Sequence, residues 1–207
     1  MHAHLFCCDQ VSSNAKGDTM TSSDNEHPTE IRLEVIAASA EPTWADNWNF
    51  RSYLFQNVPS ELVDQTVHTL NKEISSKIDC TKCGHCCREI QPFMDASDIA
   101  QMADGLKETP EKVLAQTKPE DHNCVSFLKK PCPMLKDNKC TVYQFRPRDC
   151  REYPHLDKPD FLAGSVGTIE NYGTCPIVFN VYNRLKTAFP YDPNIDYIGD
   201  SNPEDMF

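Results

Sequence analysis

Glycine is scarce in this chain, with seven among 207 residues. No G-x-G-x-x-G run occurs, so the sequence offers no glycine-rich cofactor loop. Fifteen prolines and those seven glycines are too few for a collagen-like or low-complexity chain. Basic residues are also short: 20 Lys and Arg face 31 Asp and Glu, for a net charge of −11. Affinity for nucleic acid comes largely from neutralising phosphates, so this balance argues against a nucleic-acid partner and reads first as a device for solubility. Long apolar runs are missing. None exceeds four residues, as at Val35 to Ala38, far below the roughly 20 that span a bilayer, and no membrane partner is expected. The apolar set A, V, I, L, M, F, W, Y and C reaches 39%, and the figure is the same with Gly in place of Tyr, since each numbers seven. Typical domains hold roughly 45–50%, so the core is expected to be small or helped by something beyond packing.

A secretory leader is another absence. The opening Met-His-Ala-His-Leu-Phe-Cys-Cys-Asp has no basic start followed by an apolar stretch and turns polar at once. The expectation is a cytoplasmic chain with reduced cysteines. Met20 opens a second plausible start, which would make residues 1–19 an extension.

What the chain has in quantity is cysteine: eleven residues, an odd number that cannot pair completely. In a reducing compartment such a count points to metal or catalysis rather than a disulfide framework. The length suits one domain with irregular flanks. Residues 1–30 are polar and read as a disordered N-terminal segment. Residues 31–57 form an aromatic arm: Ile31 to Ile36 allows a short strand or a docking segment, and Trp44, Trp48, Phe50, Tyr53, Leu54 and Phe55 read as core packing or a lid. Residues 58–190 carry the cysteine cluster and residues 191–207 an acidic tail.

Within 58–190, Val58-Pro59-Ser60-Glu61 opens a helix with Val63, Val67, Leu70, Ile74 and Ile78 on one stripe, running directly into Cys80. Asp95 or Ser97 caps a helix over 98–103, Thr109-Pro110-Glu111 caps another, and a last helix spans Pro176 to Ala188 with Ile177, Val178, Val181, Tyr182, Leu185 and Phe189 inward. The fold class expected is mainly α: a small, irregular, loop-rich domain organised by metal, with few or no strands.

Cys80-Thr81-Lys82-Cys83-Gly84-His85-Cys86-Cys87 is a C-x-x-C-x-x-C-C run. Two-residue spacing lets thiolates converge on one ion while the intervening turn exposes amides to the sulfurs, and Gly84 suits the tight approach. Adjacent Cys86 and Cys87 point in different directions, so one of them faces a second site. The run differs from the bacterial ferredoxin pattern in its immediate fourth cysteine. Further thiols stand at Cys132, Cys140, Cys150 and Cys175. From His122 to Arg151 seven basic residues meet two acidic ones, and Arg146, Arg148 and Arg151 are placed to offset thiolate charge and donate to sulfur. Pro147 fixes the turn that aims Cys150 inward. His85 and His155 are expected beside the ligands rather than among them.

The run Cys80 to Cys87, then Pro131-Cys132-Pro133-Met134-Leu135, then Cys140 through Cys150 to Pro154, resembles the YkgJ-type cysteine-cluster family, a zinc- or iron-chelating domain with the CxxCxxCC signature. The resemblance covers about residues 79–176. It implies eight metal ligands: Cys80, Cys83, Cys86, Cys87, Cys132, Cys140, Cys150 and Cys175. Cys7, Cys8 and Cys124 fall outside the pattern. The implied cofactor is zinc or iron, a 4Fe-4S cluster being one form, because both metals accept all-thiolate tetrahedra.

Three functional readings follow. The first is a metal-binding protein whose thiolates stabilise a small helical domain. The second is an iron–sulfur-dependent enzyme of redox or methyl-transfer type on an unknown substrate; flagellin lysine methylases are similar through the cysteine motifs alone and are considerably longer. The third is a zinc-dependent adaptor for a protein partner, resting on the aromatic cluster and the acidic tail. Whether the chain is an enzyme stays open at this point. A thiol–disulfide oxidoreductase fits poorly, since no thioredoxin-like strand pattern accompanies the C-x-x-C.

Overall fold

Leu33–Asn57 (α1) is a 25-residue helix where the sequence allowed a short strand or a docking segment at residues 31–36 and an aromatic cluster beyond it. Its core-facing side carries Asn47, Arg51 and Ser52 beside Ile36, Trp48, Phe50 and Leu54, all buried, and this polar admixture blurs the apolar periodicity that announces a helix. Pro42 sits inside it and removes one helical donor. Ser39 Oγ donates to the Val35 carbonyl at 2.8 Å and Thr43 Oγ1 to the Ser39 carbonyl at 2.7 Å, so hydroxyls serve two carbonyls of the turns that precede the proline. The buried polar groups are paired across the core: Arg51 Nε donates to Ser165 Oγ at 2.8 Å, and Tyr182 Oη to the Asn47 carbonyl at 2.8 Å.

This computed structural model describes residues 28–199; the disordered segment expected over 1–30 lies outside them up to residue 27, as do Cys7, Cys8 and residues 200–207. α1 packs with Ser60–Ser75 (α2), Phe161–Glu170 (α8) and Pro176–Ala188 (α9) around one apolar core that includes Trp48, Phe50, Val63, Val67, Phe161, Val181, Tyr182 and Leu185. The last helix has the bounds its sequence announces, with Pro176 in the first turn. α2 stops at Ser75 rather than reaching Cys80, because the Ser76 hydroxyl turns back onto the Glu73 carbonyl at 2.6 Å and the chain bends through 76–79. The N-terminus of α8 is held by Asp64 of α2, whose carboxylate accepts from the amides of Asp160 at 2.7 Å and Phe161 at 2.8 Å. Residues 191–198 lie along α1: Asn49 exchanges hydrogen bonds of 2.8 Å with Ile195 and Tyr197, and the Tyr191 ring lies tilted against Phe50 with centroids 4.9 Å apart.

A second, smaller core forms under Ala96–Leu106 (α5) and Pro110–Leu114 (α6), from Met94, Ile99, Met102, Val113, Phe127, Met134 and Val142. α5 begins in a full capping box between Asp95 and Asp98. Strand is confined, among the described residues, to two small antiparallel pairs: Thr117–Pro119 (β1) with Val125–Phe127 (β2), and Leu135–Lys136 (β3) with Lys139–Cys140 (β4). The fold is mainly α, as expected. Short turns join the two cores: Cys80–Cys83 (α3), Cys86–Glu89 (α4), a 3₁₀ turn at Tyr143–Phe145, and Arg148–Glu152 (α7). Among the described residues no helix is long and apolar enough to cross a membrane.

Candidate metal centre

Asp79 caps α3 by accepting from the Thr81 amide at 3.0 Å, and Gly84 ends it at φ 57°. A Cβ at Gly84 would stand 2.6 Å from Asn138 Oδ1, so this position needs glycine for both its backbone and its close neighbour. Asn138, in the turn of the β3–β4 hairpin, returns Nδ2 to the Lys82 carbonyl at 2.5 Å and accepts from Arg88. Arg88 also donates to the Cys83 carbonyl at 3.1 Å. The C-x-x-C turn and the hairpin are thus clamped together by groups that are not cysteines. A further tie is backbone: the Cys132 amide donates to the Cys87 carbonyl at 2.8 Å.

These turns enclose a cavity of about 380 Å³. Six of the eight cysteines in the expected ligand set line it: Cys80, Cys86, Cys87, Cys132, Cys140 and Cys150. The rest of its wall includes apolar Ile90, Met102, Phe127, Met134 and Val142, with Arg146, Asp149 and Tyr153 as polar members. Cys175 does not line the cavity but is joined to its wall, because its sulfur is hydrogen-bonded to the Tyr153 hydroxyl. Cys83 sits one helical turn from Cys80 and is half-buried. Cys124 is buried away from the cavity, in the connection between β1 and β2. All nine described cysteines are free thiols.

The thiols ring the cavity rather than meeting at a point. Among the described residues, no three His, Cys, Asp or Glu side chains are gathered closely enough to hold an ion as they stand. The local chemistry nevertheless suits a thiophilic metal. Backbone amides already point at several sulfurs: Cys132 accepts from Met134 and Leu135, Cys140 from Val142, and Cys175 from Ile177 and Val178. Each donor lies two or three residues beyond its cysteine, and such bonds favour the thiolate over the thiol. Burial acts in the opposite sense. It pushes Cys132 and Cys175 up to about 11 and drives Cys80, Cys140 and Cys150 upward as well. Cys87 alone is brought down, to about 6, by a hydrogen bond from Cys86 and by the charges of Arg146 and Arg88, while sharing that hydrogen bond pushes Cys86 upward.

Of the arginines expected near sulfur, Arg146 lines the cavity, with its guanidinium 3.6 Å from the Tyr143 ring centroid. Arg151 donates to the Arg146 carbonyl and so steadies that segment. Arg148 is engaged elsewhere: its amide donates to Asp98 at 2.7 Å and its charge bears on Asp95. Pro147 stands at the start of α7, which carries Cys150 to the wall. Neither His85 nor His155 lines the cavity; His155 Nε2 lies 3.1 Å from Asp149 Oδ1. Sequence reading missed Arg88, Asn138 and Tyr153. The only local signal for the first two was the positive, polar character of their surroundings, and Tyr153 carried none beyond its place between Cys150 and Pro154.

No curated protein and no solved structure matches the chain. Residues 79–175 match the model of the CxxCxxCC family, described as "Putative zinc- or iron-chelating domain". The matched stretch begins at the cap of α3, ends at Cys175 and holds all eight cysteines of the cluster. Over these residues the chain is similar to the CxxCxxCC domain.

Proposed function

We propose that the protein binds zinc or iron through the thiolates of Cys80, Cys83, Cys86, Cys87, Cys132, Cys140, Cys150 and Cys175, and that the bound metal fastens the helical core to the smaller one. The observation that carries this reading is the cavity into which one short segment of chain, three turns and a hairpin deliver six free thiols. Soft thiolate donors select zinc, copper(I) or iron–sulfur chemistry over hard cations, and the family's description narrows the choice to zinc or iron.

Each residue has a definite task. The amides beyond Cys132, Cys140 and Cys175 would stabilise the thiolate form, while Arg146 and Arg88 would offset part of the accumulated negative charge. The apolar wall of Met102, Phe127, Met134 and Val142 limits water at the sulfurs. A metal in the site supplies cross-linking between segments far apart in sequence, and its binding energy then becomes folding energy.

Cadmium reports thiolate coordination directly. Added to reduced, metal-free protein, it should raise an ultraviolet thiolate-to-cadmium band that grows to saturation and disappears when the eight cysteines are replaced by serine. Absence of the band in the wild-type chain would overturn the reading.

A further inference from the structure

We propose, building on the metal-binding reading above, that the eight thiols divide into two separate four-thiolate sites: Cys80, Cys83, Cys86 and Cys175 at the helical core, and Cys87, Cys132, Cys140 and Cys150 at the hairpin core. The Cys86–Cys87 peptide is the wall between them.

The hairpin group is tied by backbone. Cys132 donates its amide to the Cys87 carbonyl at 2.8 Å, and its own carbonyl accepts from Leu135 at 2.9 Å. Leu135 is paired with Cys140 in the β3–β4 ladder. Cys87, Cys132 and Cys140 therefore belong to one hydrogen-bonded unit. α7 brings up the fourth member, Cys150, whose electrostatic neighbours include Cys132, Cys87 and Cys140. Cys132 and Cys140 pack against the smaller apolar core.

The other group has a different anchor. Cys80 and Cys83 occupy positions one turn apart on α3, which places them on one face. Cys175 is buried in the helical core at the N-cap of α9. Its electrostatic neighbours include Cys80, those of Cys86 include Cys175, and those of Cys80 include Cys83. Tyr153, which also packs on the helical core, reaches Cys175 and lies close to Cys86 and Cys80.

Contacts cross the division at Cys86, which is a neighbour of both Cys87 and Cys150, and Cys80 and Cys86 face the same cavity as the hairpin four. That is the expected place for a boundary. Cys86 and Cys87 are consecutive in a helical turn and share a hydrogen bond in the metal-free protein; metal loading would part them, one toward each group. The consequence is a division of labour. The first site would fix the start of α9 to the C-x-x-C turn, and the second would close the hairpin domain on itself.

Metal content per chain tests the division with paired variants of the full-length protein, loaded with zinc under reducing conditions. Cys83→Ser with Cys175→Ser, and Cys132→Ser with Cys140→Ser, should each halve the metal of the wild type. The mixed pair Cys175→Ser with Cys132→Ser should abolish it. The division is overturned if a within-group pair loses all the metal, if one within-group pair loses none, or if the mixed pair matches the others. Should variants precipitate, zinc-loaded wild-type protein can be partly stripped by chelator and alkylated with N-ethylmaleimide. Label should then enter the four cysteines of one group as a block; label spread across both groups at the first stage contradicts the proposal. A wild-type chain that takes up no zinc or iron removes the metal-binding reading itself, whereas uptake without the four-and-four pattern removes only the division.

Discussion

The cysteines do not share one environment, and single substitutions should sort them. Cys124 is buried but stands outside the cavity wall, so Cys124→Ser should leave metal content unchanged, whereas Cys132→Ser should lower it; elemental analysis of the two variants decides. Tyr153 gives a finer test. Its hydroxyl reaches the Cys175 sulfur and lies 3.4 Å from Asn171 Oδ1. Tyr153→Phe should cost about 1 kcal/mol in urea unfolding, the usual worth of a hydrogen bond, while metal per chain is retained. At this scale the cysteine spacing was legible in the sequence, because C-x-x-C geometry is a property of one turn. Arg88 and Asn138 were not, because they act on each other across 50 residues of chain and nothing local marks either as a clamp.

Elements show the same contrast. α9 was readable to its ends, since Pro176 and an unbroken apolar stripe define it. α1 was not, since Asn47, Arg51 and Ser52 hold places that a pattern search expects to be apolar, and their partners Tyr182 and Ser165 lie more than a hundred residues away. α8 went unread for a related reason: its N-terminus is held by Asp64, remote in sequence. Packing between elements can be probed at Gly105 of α5, where an added Cβ would stand 2.6 Å from the Phe145 ring. Gly105→Ala should destabilise by about 1–3 kcal/mol through overcrowding. Asp95→Ala should cost about 1 kcal/mol by removing the cap of the same helix. Both are measurable by denaturant unfolding.

For the whole molecule, two modest cores joined by turns explain how a chain with 39% apolar residues can fold around a thiol-lined cavity. The pH dependence of the metal-free protein follows from the thiols. Burial holds Cys132 and Cys175 at about 11, above the ordinary value of 9.0, with Cys80, Cys140 and Cys150 also raised. A group raised in the folded state contributes stability below its unfolded value and loses it as pH climbs through the folded one. Metal-free protein should therefore weaken progressively as pH rises from about the ordinary thiol value, and Cys87, which is lowered, should offset a small part of this. Metal loading demands thiolates and releases protons, so metal affinity should instead rise with pH. Urea unfolding of the stripped form and metal titration, each as a function of pH, should give opposite slopes.

The central claim is that these thiolates hold zinc or iron. Protein purified in the absence of oxygen, with its metal and acid-labile sulfide quantified per chain, tests it most directly. Zinc, or iron with or without matching sulfide, in a fixed ratio to the chain is the predicted result, and the presence of sulfide would identify a cluster. A folded chain containing neither metal, and unmoved in its unfolding by chelator, would contradict it.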